Sequence, residues 1–146
     1  MRKSNWVIAL VMLAAACSSS SSSASSASGS TSGSSKITIG SDQANDHGTQ
    51  DATGKSTFEI EADNDSSGYY FNPTILQGSA GQSITLEIKN EGSVPHNFSI
   101  TSMNVNVTIQ PGASQEMKVT FPQTGTVEYF CNFHHALGMA GELSVA

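Results

Sequence analysis

Cysteine is scarce. Cys17 and Cys131 are the only two in 146 residues, which excludes a multi-disulfide framework and allows one bridge at most. Basic residues are scarce too: Arg2, Lys3, Lys36, Lys55, Lys89 and Lys118 stand against twelve acidic residues, a formal net charge of −6. That balance removes nucleic acid and anionic lipid headgroups as electrostatic partners. Histidine occurs at four positions, 47, 96, 134 and 135, with no His-x-His pair and no His-rich or Met-rich tract. No apolar run is long enough to span a bilayer, since Trp6–Leu13 is the longest near the start. No stretch after residue 17 keeps a helical period, so a helical domain is not expected.

What is present falls into three parts. Residues 1–17 read as an export signal, with Arg2 and Lys3 before a short apolar run and Ala14, Ala15 and Ala16 before Cys17. This segment resembles a prokaryotic lipoprotein signal, in which the cysteine is lipidated and becomes the new N-terminus. Ala14 departs from that pattern, which more often has leucine there. Lipidation of Cys17 and metal binding by Cys131 would leave no thiol over, whereas a Cys17–Cys131 bridge would spoil both features. Residues 18–35 are nearly all Ser with some Ala, Gly and Thr, a composition that buries no core. As a coil, 18 such residues span roughly 23 Å. Residues 18–55 are read together as a tether, with a short edge strand conceivable at 36–39 and His47 taken as a solvated loop histidine. Loss of the signal leaves four lysines against twelve acids, a charge of −8.

From residue 56 the period changes to two. Phe58, Ile60 and Ala62 alternate with glutamates; Ile84, Leu86 and Ile88 alternate with Thr85 and Glu87. Val105, Val107 and Ile109 repeat the pattern, as do Met117, Val119 and Phe121, and then Val127, Tyr129 and Cys131. Gly-, Pro- and Asn-containing clusters separate these runs. The expectation is an all-β sandwich of about seven strands over residues 56–146.

Its chemistry concentrates at the C-terminal end. Cys131 and His134 lie three residues apart, Met139 follows His134 by five, and His96 lies 35 residues before the cysteine. Two imidazoles, one thiolate and a weak axial thioether suit a type 1 copper ion cycling between Cu(I) and Cu(II). A hard cation would need clustered carboxylates, and none lies near this loop in the sequence. Gly138 supplies a bend before Met139, and His135 is read as an exposed neighbour, not a ligand.

Around these positions the chain resembles the plastocyanin branch of the cupredoxins. The segments that carry the resemblance are Val94-Pro95-His96-Asn97, the loop from Tyr129 through Cys131 and His134 to Gly141, and, more weakly, Phe71-Asn72-Pro73-Thr74-Ile75 and Gly81-Gln82. It implies a Greek-key β-sandwich, one copper ion held by His96, Cys131, His134 and Met139, and an Asn97 that ties the ligand loops together with its N–H directed at the Cys131 sulfur. The family commonly has proline where this chain has Phe133, so a second N–H to that sulfur is expected here. The interval from His96 to Cys131 is shorter than in plant plastocyanins and looks closer to compact prokaryotic versions.

The function implied is a one-electron carrier, lipid-anchored outside the cytoplasm, monomeric, exchanging electrons with a donor and an acceptor redox protein. Ala136, Leu137 and Gly138 are expected to form an apolar contact ring around His134. A copper carrier or storage lipoprotein is the alternative. An oxidase or nitrite reductase would need further metal centres built on His-x-His pairs, and a binuclear copper site would need a second loop cysteine.

Overall fold

A computed structural model describes residues 35–146; the segment read as an export signal, Cys17 and the serine run through residue 34 lie outside the described residues. The strands in chain order are β1 (Ser35–Ile39), β2 (Asp42–Asp46), β3 (Thr49–Asp51), β4 (Thr57–Asp65), β5 (Gly68–Asn72), β6 (Ile75–Gly78), β7 (Ser83–Asn90), β8 (His96–Ile100), β9 (Val105–Ile109), β10 (Ser114–Thr120), β11 (Thr126–Phe130) and β12 (Ala140–Val145). A four-stranded sheet in the order β10-β7-β4-β5 and a six-stranded sheet in the order β3-β6-β12-β11-β8-β9 make the sandwich, and β1 pairs with β2 in a separate hairpin.

The alternation read in the sequence is the alternation of burial. Strand β7 buries Ile84, Leu86, Ile88 and Asn90 at every second position, because successive side chains leave a strand on opposite faces. Ile60 and Ala62 of β4 join them from the parallel neighbour. Phe71 of β5, in the same sheet, packs against Phe98 and Tyr129 of the facing sheet, with ring centroids 5.1–5.6 Å apart among the three. The Tyr129 hydroxyl donates to the Pro73 and Thr74 carbonyls at 2.8 and 3.0 Å, which satisfies its one buried polar atom. Each such ring contributes roughly 1.5–3 kcal/mol by burial.

Two expectations change. Residues 56–146 hold nine strands against about seven expected, because β5 and β6, separated at Pro73 and Thr74, are too short to show a period of their own. More consequentially, residues 35–55, read as tether, form β1, β2 and β3. Ile39 and Ala44 of the hairpin pack on Ala140 of β12, with Ile37, Ile75 and Phe130 at the margin. Each piece carries at most two apolar residues, and β3 none, so no periodicity could announce it. Strand β3 adds in parallel to the edge of β6.

Candidate metal centre

One end of the sandwich gathers the chemistry. His96 opens β8, and Cys131 directly follows β11. The chain then turns through Asn132 and Phe133, makes a single 3-10 turn at His135–Leu137, and returns through Gly138 to β12. Gly138 has φ +93°, a conformation that a side chain would strain. Backbone bonds close the loop on itself: Cys131 N–H to Met139 O at 3.0 Å, His134 N–H to Cys131 O at 3.1 Å and Met139 N–H to His134 O at 3.3 Å. The loop geometry is therefore fixed by its own backbone.

The sulfur of Cys131 and a ring nitrogen from each of His96 and His134 all lie within 4.8 Å of one another. His134 Nδ1 is 3.5 Å from the sulfur, and the two imidazole rings meet edge to face at 5.2 Å. Cys131, His96 and Met139 have no solvent exposure, while His134 is half-buried. Both nitrogens of His96 are buried without a hydrogen-bond partner. An orphaned imidazole is costly in a protein interior, and a metal ion accepting one of its lone pairs removes that cost. Burial lowers the His96 pKa to about 4, reinforced by the neighbouring His134. Desolvation lowers that of His134 as well. Neutral imidazoles beside a thiol are the donor form a soft or borderline metal requires.

The surroundings order these donors. Asn97 N–H donates to the Cys131 sulfur at 3.3 Å. Its side-chain oxygen accepts from Asn132 N–H at 3.1 Å, from Asn132 Nδ2 at 2.9 Å and from Ser99 Oγ at 2.7 Å. Its amide donates to Asn106 Oδ1 at 2.7 Å and Val107 O at 3.0 Å. One asparagine thus ties the ligand loop to β8 and β9. The second N–H expected at the sulfur, from Phe133, is not among its hydrogen bonds in the described residues; Phe133 sits on the loop's outer turn with its side chain in solvent.

Sequence reasoning missed three contributors. Tyr69 stacks on His134 with centroids 4.0 Å apart and planes 16° apart. Asn45, at the end of the hairpin, is buried and donates from Nδ2 to Tyr69 O at 2.8 Å and to Leu137 O at 3.0 Å, while its N–H reaches Gly138 O at 2.9 Å. Asn132, within the ligand motif, was passed over; its position between two ligand-loop residues was the available signal. His47 is no solvated loop residue: it stacks on Tyr70 at 3.5 Å. His135 is only one-third exposed, and Asp42 and Glu128 approach it, so carboxylates do lie beside this loop, brought there from distant strands.

A family model described as the cupredoxin-like domain matches residues 7–145. Plastocyanin A/B of Petroselinum crispum is 31% identical over 97 residues, covering 60% of this chain and 98% of that protein. Reduced auracyanin from Roseiflexus castenholzii aligns with a TM-score of 0.52 at 22% identity, over 63% of this chain and 98% of the other. Auracyanin A, a blue copper protein of Chloroflexus aurantiacus, aligns with a TM-score of 0.50 at 23% identity, over 68% of this chain and all of the other.

Proposed function

We infer a one-electron carrier from one premise: this chain belongs to the cupredoxin-like domain family, in its plastocyanin-like part. Its cofactor is one copper ion, which His96, Cys131, His134 and Met139 would hold. The observation that carries this reading is the convergence of the Cys131 sulfur and a ring nitrogen of each of His96 and His134 within 4.8 Å, on a loop whose Met139 is fully buried. Bound copper supplies the Cu(I)/Cu(II) couple, one electron per cycle.

The protein's part is to hold still. His96 comes from a strand buried at every residue, and Cys131 and Met139 are joined through their backbones. Ligands fixed by separate rigid elements cannot relax toward the geometry that either oxidation state prefers, so little reorganisation accompanies transfer. The Asn97 N–H withdraws electron density from the sulfur and favours the reduced state. His134 alone of the four reaches the surface, which makes its ring the path for the electron. Full burial of Cys131 and Met139 speaks against a copper carrier or store, which needs an exchangeable site. We read the chain as a carrier and not an enzyme, working outside the cytoplasm between a donor and an acceptor redox protein, and held at a membrane through a lipid on Cys17.

Oxidised, copper-loaded protein is expected to be intensely coloured through sulfur-to-copper charge transfer and to bleach with ascorbate. Cys131→Ser should abolish the band while leaving the β-sheet circular dichroism in place. Weak ligand-field absorption alone from the Cu(II)-saturated wild type would refute the assignment.

A further inference from the structure

On the outer side of the ligand loop, three side chains from three separate elements converge. Asp42 begins β2, Glu128 lies in the middle of β11, and His135 opens the 3-10 turn just after His134. One ligand atom from each lies within 4.8 Å of the other two. His135 Nε2 is 3.4 Å from Asp42 Oδ2 and 3.3 Å from Glu128 Oε1. Its ring is held in place by stacking on Phe130, with centroids 4.8 Å apart and planes 27° apart.

We propose that Asp42, Glu128 and His135 form a second metal site, separate from the copper ligands, for a borderline divalent cation of the zinc class. Two observations point to a cation beyond the ion pairs of a protonated histidine. Glu128 Oε1 and His135 Nε2 are both shut off from water, yet neither has a hydrogen-bond partner, so the pair is aimed together without completing a bond. The donor atoms also suit a divalent ion: two carboxylate oxygens and one ring nitrogen, from three separate elements, lie within 4.8 Å of one another. The donor set selects the metal. One nitrogen and two carboxylates suit zinc, which accepts three protein ligands and keeps a fourth position for water. Calcium and magnesium prefer oxygen alone. The more exposed Asp42 leaves the approach open from solvent.

Occupation would pin the hairpin to the copper loop and cancel the negative charge of Asp42 and Glu128 beside it, favouring Cu(I). The two metal sites share no ligand, so they can be tested apart. Calorimetric titration of Zn(II) into the full chain with its copper bound as Cu(I) is expected to show one equivalent bound. Asp42→Asn and Glu128→Gln, near-isosteric changes at partly exposed positions, should each weaken it at least about tenfold. Each variant should keep the blue band on oxidation, which separates failure here from failure of the copper reading. In the wild type, one equivalent of zinc should also raise the copper reduction potential. Absence of a stoichiometric zinc site, or one that both variants retain at full affinity, would overturn the proposal; so would binding that appears only with loss of the blue band, because zinc would then be taking the copper position.

Discussion

Phe133 and Leu137 are the large apolar side chains left exposed among the described residues, each with 54% of its surface in water, and both flank His134. An apolar rim around the one ligand that reaches the surface lets a partner exclude water on contact and still leave quickly, as small redox encounters require. Leu137→Glu should therefore change stability by no more than about 0.5 kcal/mol and leave the colour intact, while slowing electron exchange with the physiological partner. Stopped-flow exchange at the wild-type rate would place docking elsewhere. His47 supplies a different kind of test. Burial lowers its pKa, an effect that Asp65, Asp46, Asp63 and Glu61 only partly oppose. The folded chain thus holds this proton less tightly than the unfolded chain does. Its contribution to stability is complete above the unfolded pKa near 6.5 and declines as pH falls through that value toward the lower folded one. Denaturant midpoints of copper-loaded protein at pH 8 and pH 5 should differ more for wild type than for His47→Gln, and equal differences would discard this account.

At the scale of elements, the hairpin of β1 and β2 is the feature most at odds with the sequence reading. Asn45 connects it to both walls of the centre, the Tyr69 strand and the Leu137–Gly138 return, and Lys36 bonds to the Asn45 side-chain oxygen. Asn45→Ala should cost about 1 kcal/mol, since it removes two part-buried hydrogen bonds, to the Tyr69 and Leu137 carbonyls, and should broaden the copper electron-paramagnetic resonance by loosening the loop. Unchanged stability and line shape would make the hairpin a mere appendage. What could be read beforehand follows from the range of each signal. Period-two burial in β4, β7, β10 and β11 is written into adjacent residues and was legible. So was the Cys131–His134–Met139 loop, whose spacing is local. The contacts of Asn45, Tyr69, Asp42 and Glu128 depend on strand pairing and on how a short hairpin lies against the sandwich. No pattern along the chain encodes that placement, and a serine-rich preface disguised it.

At the scale of the whole molecule, charge and anchoring make a joint prediction. If residues 1–17 are removed as an export signal, four lysines face twelve acidic residues, so an anionic bilayer repels the protein and electrostatics cannot hold it there. No helix among the described residues is long and apolar enough to cross a membrane. On the proposed lipidation of Cys17, which lies outside the described residues, attachment would come from acyl chains. Each chain contributes about 0.8 kcal/mol per buried methylene, and more than one chain makes the attachment stable. Because that energy is apolar, salt does not weaken it. Wild-type protein should stay with the membrane fraction through a high-salt wash and leave only with detergent. Cys17→Ser should appear in the soluble exported fraction with its blue band unchanged, since the copper centre lies wholly within residues 96–139. Release of the wild type by salt would point to a protein partner at the membrane in place of a lipid, and membrane retention of the serine variant would exclude Cys17 as the anchor.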